Sequence, residues 1–152
     1  MNRVLLTLAI ATTVASVLSF NSVAAQVIPP LAKASRVEIT KGPELESSTN
    51  YLTIIRWTTN NPGGSDVHYG IVRYGTDPKD LTQMAKNPIR LNQGHQYTTF
   101  RVRIEGLKPR TTYHYRVSSE ESSGGSDGVK SAVHTFTTPG PGERIMADPQ
   151  RD

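Results

Sequence analysis

An all-β sandwich of about seven short strands is the fold class this sequence predicts. Three observations carry it. Runs of alternating apolar and polar residues recur along the chain, as in T-F-R-V-R-I at 99–104 and Y-H-Y-R-V at 113–117. That alternation belongs to a strand with one buried face. Turn signals rich in Gly, Pro and Asn separate the runs, as at 60–64 and 123–125. No stretch sustains the apolar period of a helix. Each half-buried strand needs a second sheet to cover its apolar face, so two sheets joined by Greek-key connections are the natural packing.

Residues 1–25 read as a secretory signal peptide. Arg3 gives a positive start, 4–20 is mostly apolar, and Val23, Ala24 and Ala25 supply small residues before Gln26. Thr7, Thr12, Thr13 and Ser16 interrupt a stretch already short for a membrane span. A secreted or periplasmic protein with no membrane insertion after cleavage is expected. Residues 26–35, with Pro29-Pro30, read as a linker, and the folded domain is expected over 36–138.

Within it, 36–40 turns Val37 and Ile39 to one side and reads as a first strand, ended by Gly42-Pro43. Residues 44–50 read as a polar turn. Residues 51–58 form the second strand, with Thr53, Ile55 and Trp57 inward because Arg56 is the costliest of these side chains to bury. The third, 67–75, has conflicting parity: Val67 and Tyr69 oppose Val72 and Tyr74. A bulge at Gly70 would reconcile them. Residues 81–89 are an ill-defined fourth strand, and 95–104 a fifth with Thr98, Phe100, Val102 and Ile104 inward. The sixth follows a corner at Leu107 and Pro109 and turns Tyr113, Tyr115 and Val117 inward. Residues 118–128 read as an exposed hairpin loop, 129–138 as the last strand anchored by Phe136, and 139–152 as a disordered tail.

Several of these residues carry a family likeness. Trp57 ending the second strand, Y-G-T at 74–76, L-x-P-x-x-x-Y at 107–113 and F-T-T-P at 136–139 resemble a fibronectin type III domain. That is a seven-stranded, immunoglobulin-like Greek-key sandwich. Within this superfamily, W-T-T-N-x-P (57–62), V-R-Y-G-T (72–76) and L-K-P-x-T-x-Y-x-Y-R-V (107–117) are similar to the N-terminal β-domain of purple-acid-phosphatase-like proteins. The resemblance implies structural roles for Trp57, Tyr74, Leu107, Pro109, Tyr113 and Phe136. It further implies that Tyr113 buries its ring and hydrogen-bonds backbone near 107–109.

Composition narrows the function. The chain has 152 residues, a formal charge of +4 and no cysteine, which removes disulfides and thiol chemistry. Its basic residues are scattered, so nucleic acid is not an expected partner. His68, His95, His114 and His134 lie on four segments without metal-ligand spacing and are expected to be solvated. The purple-acid-phosphatase likeness implies two-metal phosphate-ester hydrolysis only in a separate, larger domain. Its G-D-x-x-Y and G-N-H motifs do not occur here. No G-x-S-x-G nucleophile elbow is expected, and the glycine-rich segments at 62–64 and 123–125 read as hairpin loops. No catalytic, cofactor or metal residue is therefore assigned, and no enzyme is expected.

The pattern left to weigh is arginine. Arg56, Arg101 and Arg103 take the outward parity of the second and fifth strands. Arg73 and Arg116 take that of the third and sixth. Such faces suit an acidic protein or an anionic polysaccharide, or they are solvated surfaces whose arginines pair with Glu38, Glu105 and similar residues. A binding or adhesion module is the leading expectation. The alternative is an accessory or remnant N-terminal domain of a purple-acid-phosphatase-like metallophosphoesterase system, attached through an edge strand or the tail.

Overall fold

The computed structural model describes residues 33–91 and 94–147. The expected signal peptide, most of the expected linker and residues 148–152 lie outside them. Among the described residues nine strands follow in order: β1 (Ile39–Thr49), β2 (Leu52–Asn60), β3 (Val67–Gly75), β4 (Gln83–Arg90), β5 (Tyr97–Glu105), β6 (Thr112–Glu121), β7 (Ser126–Lys130), β8 (His134–Thr137) and β9 (Arg144–Met146). One sheet has the order β5-β2-β1-β9. The other runs β4-β3-β6-β7, with β8 also paired to β6. The chain crosses between sheets after β2, β4, β5 and β8, and the first three crossings make the Greek-key path. The seven expected strands are present, with the last broken into β7 and β8 and a further strand added at the end.

Where the reading of the sequence fails, local chemistry explains it. Residues 44–50 are not a turn. β1 continues past Gly42-Pro43, and its register against β2 shifts between Ile39 and Lys41, between Lys41 and Glu44, and between Leu45 and Ser47. Bulges let a strand carry a proline, which has no N–H for the ladder. Gly42 sits at φ +78°, and a Cβ there would stand 2.9 Å from the Arg56 carbonyl oxygen. The stretch 118–128 is not one exposed loop either: β6 runs on to Glu121, Ser119 is buried, and β7 begins at Ser126. Residues 144–146 of the expected disordered tail form β9, which pairs with β1 as Ser47↔Met146, Ser48↔Ile145 and Thr49↔Arg144.

Gly70 carries no bulge. β3 keeps unbroken register with both neighbours from His68 to Tyr74. Its inward side is His68, Gly70, Val72 and Tyr74, while Val67 and Tyr69 lie half-buried on the other side. Glycine is needed at 70 because the other sheet fills the space: a Cβ would stand 2.9 Å from both the Trp57 ring and the Val102 methyl, and 3.1 Å from Phe100.

The core gathers Ile55, Trp57, Val72, Tyr74, Phe100, Val102, Ile104, Leu107, Tyr113, Tyr115, Val117 and Phe136. Trp57 stacks on Phe100 at 5.2 Å between centroids, and Tyr113 on Phe136 at 5.5 Å. Five of the six expected structural residues are thus in the core, and Pro109 is exposed in the corner turn. The Lys108 backbone N–H donates to the Tyr113 hydroxyl at 3.0 Å, the bond expected of a corner tyrosine. Thr138 completes the corner. Its hydroxyl donates to the Lys108 carbonyl at 2.6 Å and accepts from the Thr111 N–H at 3.0 Å. Tyr113→Phe is expected to cost about 1–3 kcal/mol in urea melts, because it leaves the Lys108 N–H without its partner.

Tyr115 carries a pH dependence. Burial, with Glu44 nearby, pushes its hydroxyl up to about 12. The folded state thus holds that proton more tightly than the unfolded chain, whose tyrosines titrate near 10. Its contribution to stability is complete below about pH 10 and is lost as pH rises through about 12. Tyr115→Phe, which has no proton to lose, is expected to flatten the alkaline arm of a pH-stability curve over that window.

Candidate anion-binding faces

Both arginine sets fall where the strand parity puts them, on the outer faces of the two sheets. Their surroundings differ. On the β2/β5 face Arg56 stands directly opposite Arg101, and Arg103 opposite Ile54. Each arginine has a carboxylate. Arg56 donates to Glu44 through Nη2 at 2.7 Å and Nε at 3.0 Å, Arg101 Nε to Glu46 at 2.7 Å, and Arg103 Nε pairs with Glu105 at 2.6 Å. Glu38, expected as a partner of this face, instead meets Arg36 at 3.4 Å. Glu44 and Glu46 went unrecognised as partners because the segment carrying them reads as a turn; as part of β1 it lies beside β2.

On the β3/β6 face Arg73 stands directly opposite Arg116. Among the described residues neither makes an ion pair with a carboxylate. Arg116 Nε is buried and has no hydrogen-bond partner there. The two arginines floor a groove of about 500 Å³. Its walls bring Lys79 and Pro78 from the β3–β4 loop and Lys130, Ser126 and Val129 from β7, and no carboxylate lines it. The sequence alone did not single out Lys79 and Lys130 as neighbours of Arg73. The Ser118↔Lys130 pairing exists only because β6 extends through residues that read as a loop.

A third polar cluster closes one end of the sandwich and corrects the expectation for the histidines. The His68 side chain is fully buried, with Nδ1 at 3.3 Å from Asp127 Oδ2 and Nε2 at 3.1 Å from the Gly63 carbonyl oxygen. The Asp127 side chain is also fully buried. A carbonyl only accepts, so Nε2 carries a proton. His68 is inward because these partners satisfy it. Nearby, Lys33 and Glu121 form an ion pair that raises the lysine's pKa and lowers the glutamate's.

His95 is exposed, whereas His114 and His134 are half-buried, and His134 packs on the Tyr115 ring at 5.6 Å. β6 and β8 pair Tyr115 with His134 and His114 with Thr135, so the two histidines take opposite faces. Among the described residues no group of three or more His, Cys, Asp and Glu gathers to hold a metal. Residues 124–128 spell G-G-S-D-G, which fits a nucleophile-elbow pattern in letters. In the fold they lead into β7 rather than a helix, and the Ser126 hydroxyl accepts from the Gly128 N–H at 3.1 Å.

Among solved structures, the chain is similar to the sensor domain of the anti-sigma factor RsgI4 in Pseudobacteroides cellulosolvens, at 21% identity over 71% of this chain and 99% of that one, with a TM-score of 0.49. It is also similar to the fn3 domain of human contactin 1, at 19% identity over 82% of this chain and 95% of that one, TM-score 0.42. A third similarity is to the third fibronectin III domain of human KIAA0343 protein, at 12% identity over 82% and 97%, TM-score 0.38. No curated protein matches the sequence. The profile of the purple acid phosphatase N-terminal domain matches residues 44–138, from β1 through the corner clamp at Thr138. The chain belongs to the family of purple acid phosphatase N-terminal domains.

Proposed function

We propose that the chain is a secreted, non-catalytic binding module that recognises an acidic partner with an outer face of its sandwich. The observation that supports this reading most is the direct cross-strand pairing of Arg56 with Arg101 and of Arg73 with Arg116 on opposite outer faces. Fixed strands present these charges, and a rigid scaffold loses little entropy when a partner docks. The signal peptide read from residues 1–25 would deliver the module to the periplasm or medium, where acidic polymers and proteins are available partners.

The test is retention of the mature protein on heparin, alginate and polyphosphate columns at about 0.15 M salt, where long-range charge effects are screened. Retention on at least one is expected, and flow-through on all three overturns the reading. Phosphomonoester turnover with added Fe, Zn or Mn that is abolished by a histidine substitution would overturn the non-catalytic part.

A second reading, an accessory domain docked on a larger envelope or secreted protein, draws on β9. This three-residue strand lies at the edge of its sheet with Ile145 and Met146 exposed. An edge strand is a ready site for strand addition by a partner. Pull-down from native periplasm or medium separates the two readings: a stoichiometric protein partner favours docking, and its absence together with polymer retention favours the module.

A further inference from the structure

We infer that the groove over β3, β6 and β7 is a binding site for the tetrahedral oxyanion of a sulfated or phosphorylated polysaccharide. The inference rests on the binding-module reading and goes past it by assigning one face and one ligand chemistry.

Like charges directly opposite each other on a sheet are destabilising. This chain shows how it offsets such a pair: on the β2/β5 face, Glu44, Glu46 and Glu105 stand against Arg56, Arg101 and Arg103. Arg73 and Arg116 repeat the opposed arrangement, but no carboxylate among the described residues meets them or lines the groove they floor. Lys79 and Lys130 in the walls add two more cations. Arg116 Nε is, moreover, a buried donor without an acceptor. A buried unpaired donor carries a desolvation penalty. An incoming anion offsets the repulsion directly, and it meets Arg116 Nε once the guanidinium turns toward the groove.

The shape of the site selects among anions. One carboxylate has two in-plane oxygens and a single charge, which one guanidinium fork satisfies. Two forks from opposite strands present more donors than that. A sulfate or phosphate ester offers three outer oxygens in a tetrahedral array, enough to meet both forks and leave one for a lysine or for Ser118. The groove, at about 500 Å³, has room for the sugar that carries the ester. Pro78, Leu81 and Val129 in its lining give apolar atoms for a ring to rest on.

The experiment uses the full mature chain. NMR titration with sodium sulfate at constant ionic strength is expected to shift the Arg116 Nε–H and Arg73 side-chain signals, while sodium acetate does not shift them. Heparin is expected to be retained more strongly than alginate, whose charges are all carboxylates. Arg73→Gln with Arg116→Gln is expected to weaken heparin binding at least roughly tenfold, the loss of one charge-assisted contact or more. The same variant should melt at or above the wild-type temperature, because the cross-strand repulsion is gone. Arg101→Gln with Arg103→Gln should bind heparin within about twofold of wild type, since exposed ion-paired arginines contribute little.

Wild type that ignores heparin, alginate and polyphosphate sinks the module reading and this inference together. Heparin binding unchanged by the Arg73 and Arg116 substitutions overturns the groove alone and leaves the module reading standing. Alginate held as tightly as heparin, or equal shifts with sulfate and acetate, overturns the oxyanion chemistry.

Discussion

Trp57→Ala is expected to lower stability by about 3–5 kcal/mol, measured as the shift of the urea midpoint multiplied by the m-value. The side chain is 1% exposed and lies flat on Phe100. Its indole nitrogen has no hydrogen-bond partner among the described residues, so the loss is one of packing rather than of polar pairing. The gap would open against Gly70, which has no side chain to collapse into it. A domain of this kind has about 5–15 kcal/mol in total, so the variant sits near the edge of folding at 37 °C. A midpoint that barely moves would show that the tryptophan does not hold the two sheets together.

Asp127→Ala is expected to cost a similar amount, about 3–5 kcal/mol, for an electrostatic reason. Both partners of the His68–Asp127 pair are fully buried, and the alanine leaves an imidazole enclosed with Nδ1 facing nothing. Asp127→Asn keeps an acceptor oxygen in place and is expected to be milder. The comparison checks the origin of the effect: equal losses for Ala and Asn would mean that the charge matters and the acceptor does not. Thermal melts of both variants, with near-ultraviolet circular dichroism to confirm native packing, make the measurement.

Asp127 also illustrates what could and could not be read in the sequence. The strands with strong alternation, β2, β5 and β6, were legible with their inward residues, because apolar periodicity is a local signal. So was the corner, where Leu107, Tyr113 and Phe136 converge. His68 was not. Its partner lies 59 residues away in a run of Ser, Gly and Asp that has the composition of an exposed loop. A polar residue facing inward breaks the alternation, and only the partner explains it. β1 was cut short for a related reason: Gly42-Pro43 is a stop signal locally, and the bulges that absorb it depend on β2. β9 has all three residues exposed and is placed by backbone pairing with β1, which leaves no apolar pattern to detect.

The candidate site divides the same way. Strand parity placed Arg73 beside Arg116 and Arg56 beside Arg101. It could not tell a neutralised face from an unneutralised one, because the carboxylates that decide the matter come from β1, a strand whose second half was misread. Lys79 and Lys130 reach the groove through a loop and a hairpin whose paths are set by tertiary packing.

The short pairing of Arg144–Met146 with β1 bears on how the chain avoids its own kind. The family match stops at Thr138, so trimming to that boundary would remove β9. β1 would then present unpaired backbone groups at Glu46, whose carbonyl accepts from the Ala147 N–H at 2.8 Å, and at Ser48, an open template for a second molecule. A chain cut there should self-associate with rising concentration where the full-length chain does not, and the shortest strand in the fold would prove to be the one that keeps molecules apart.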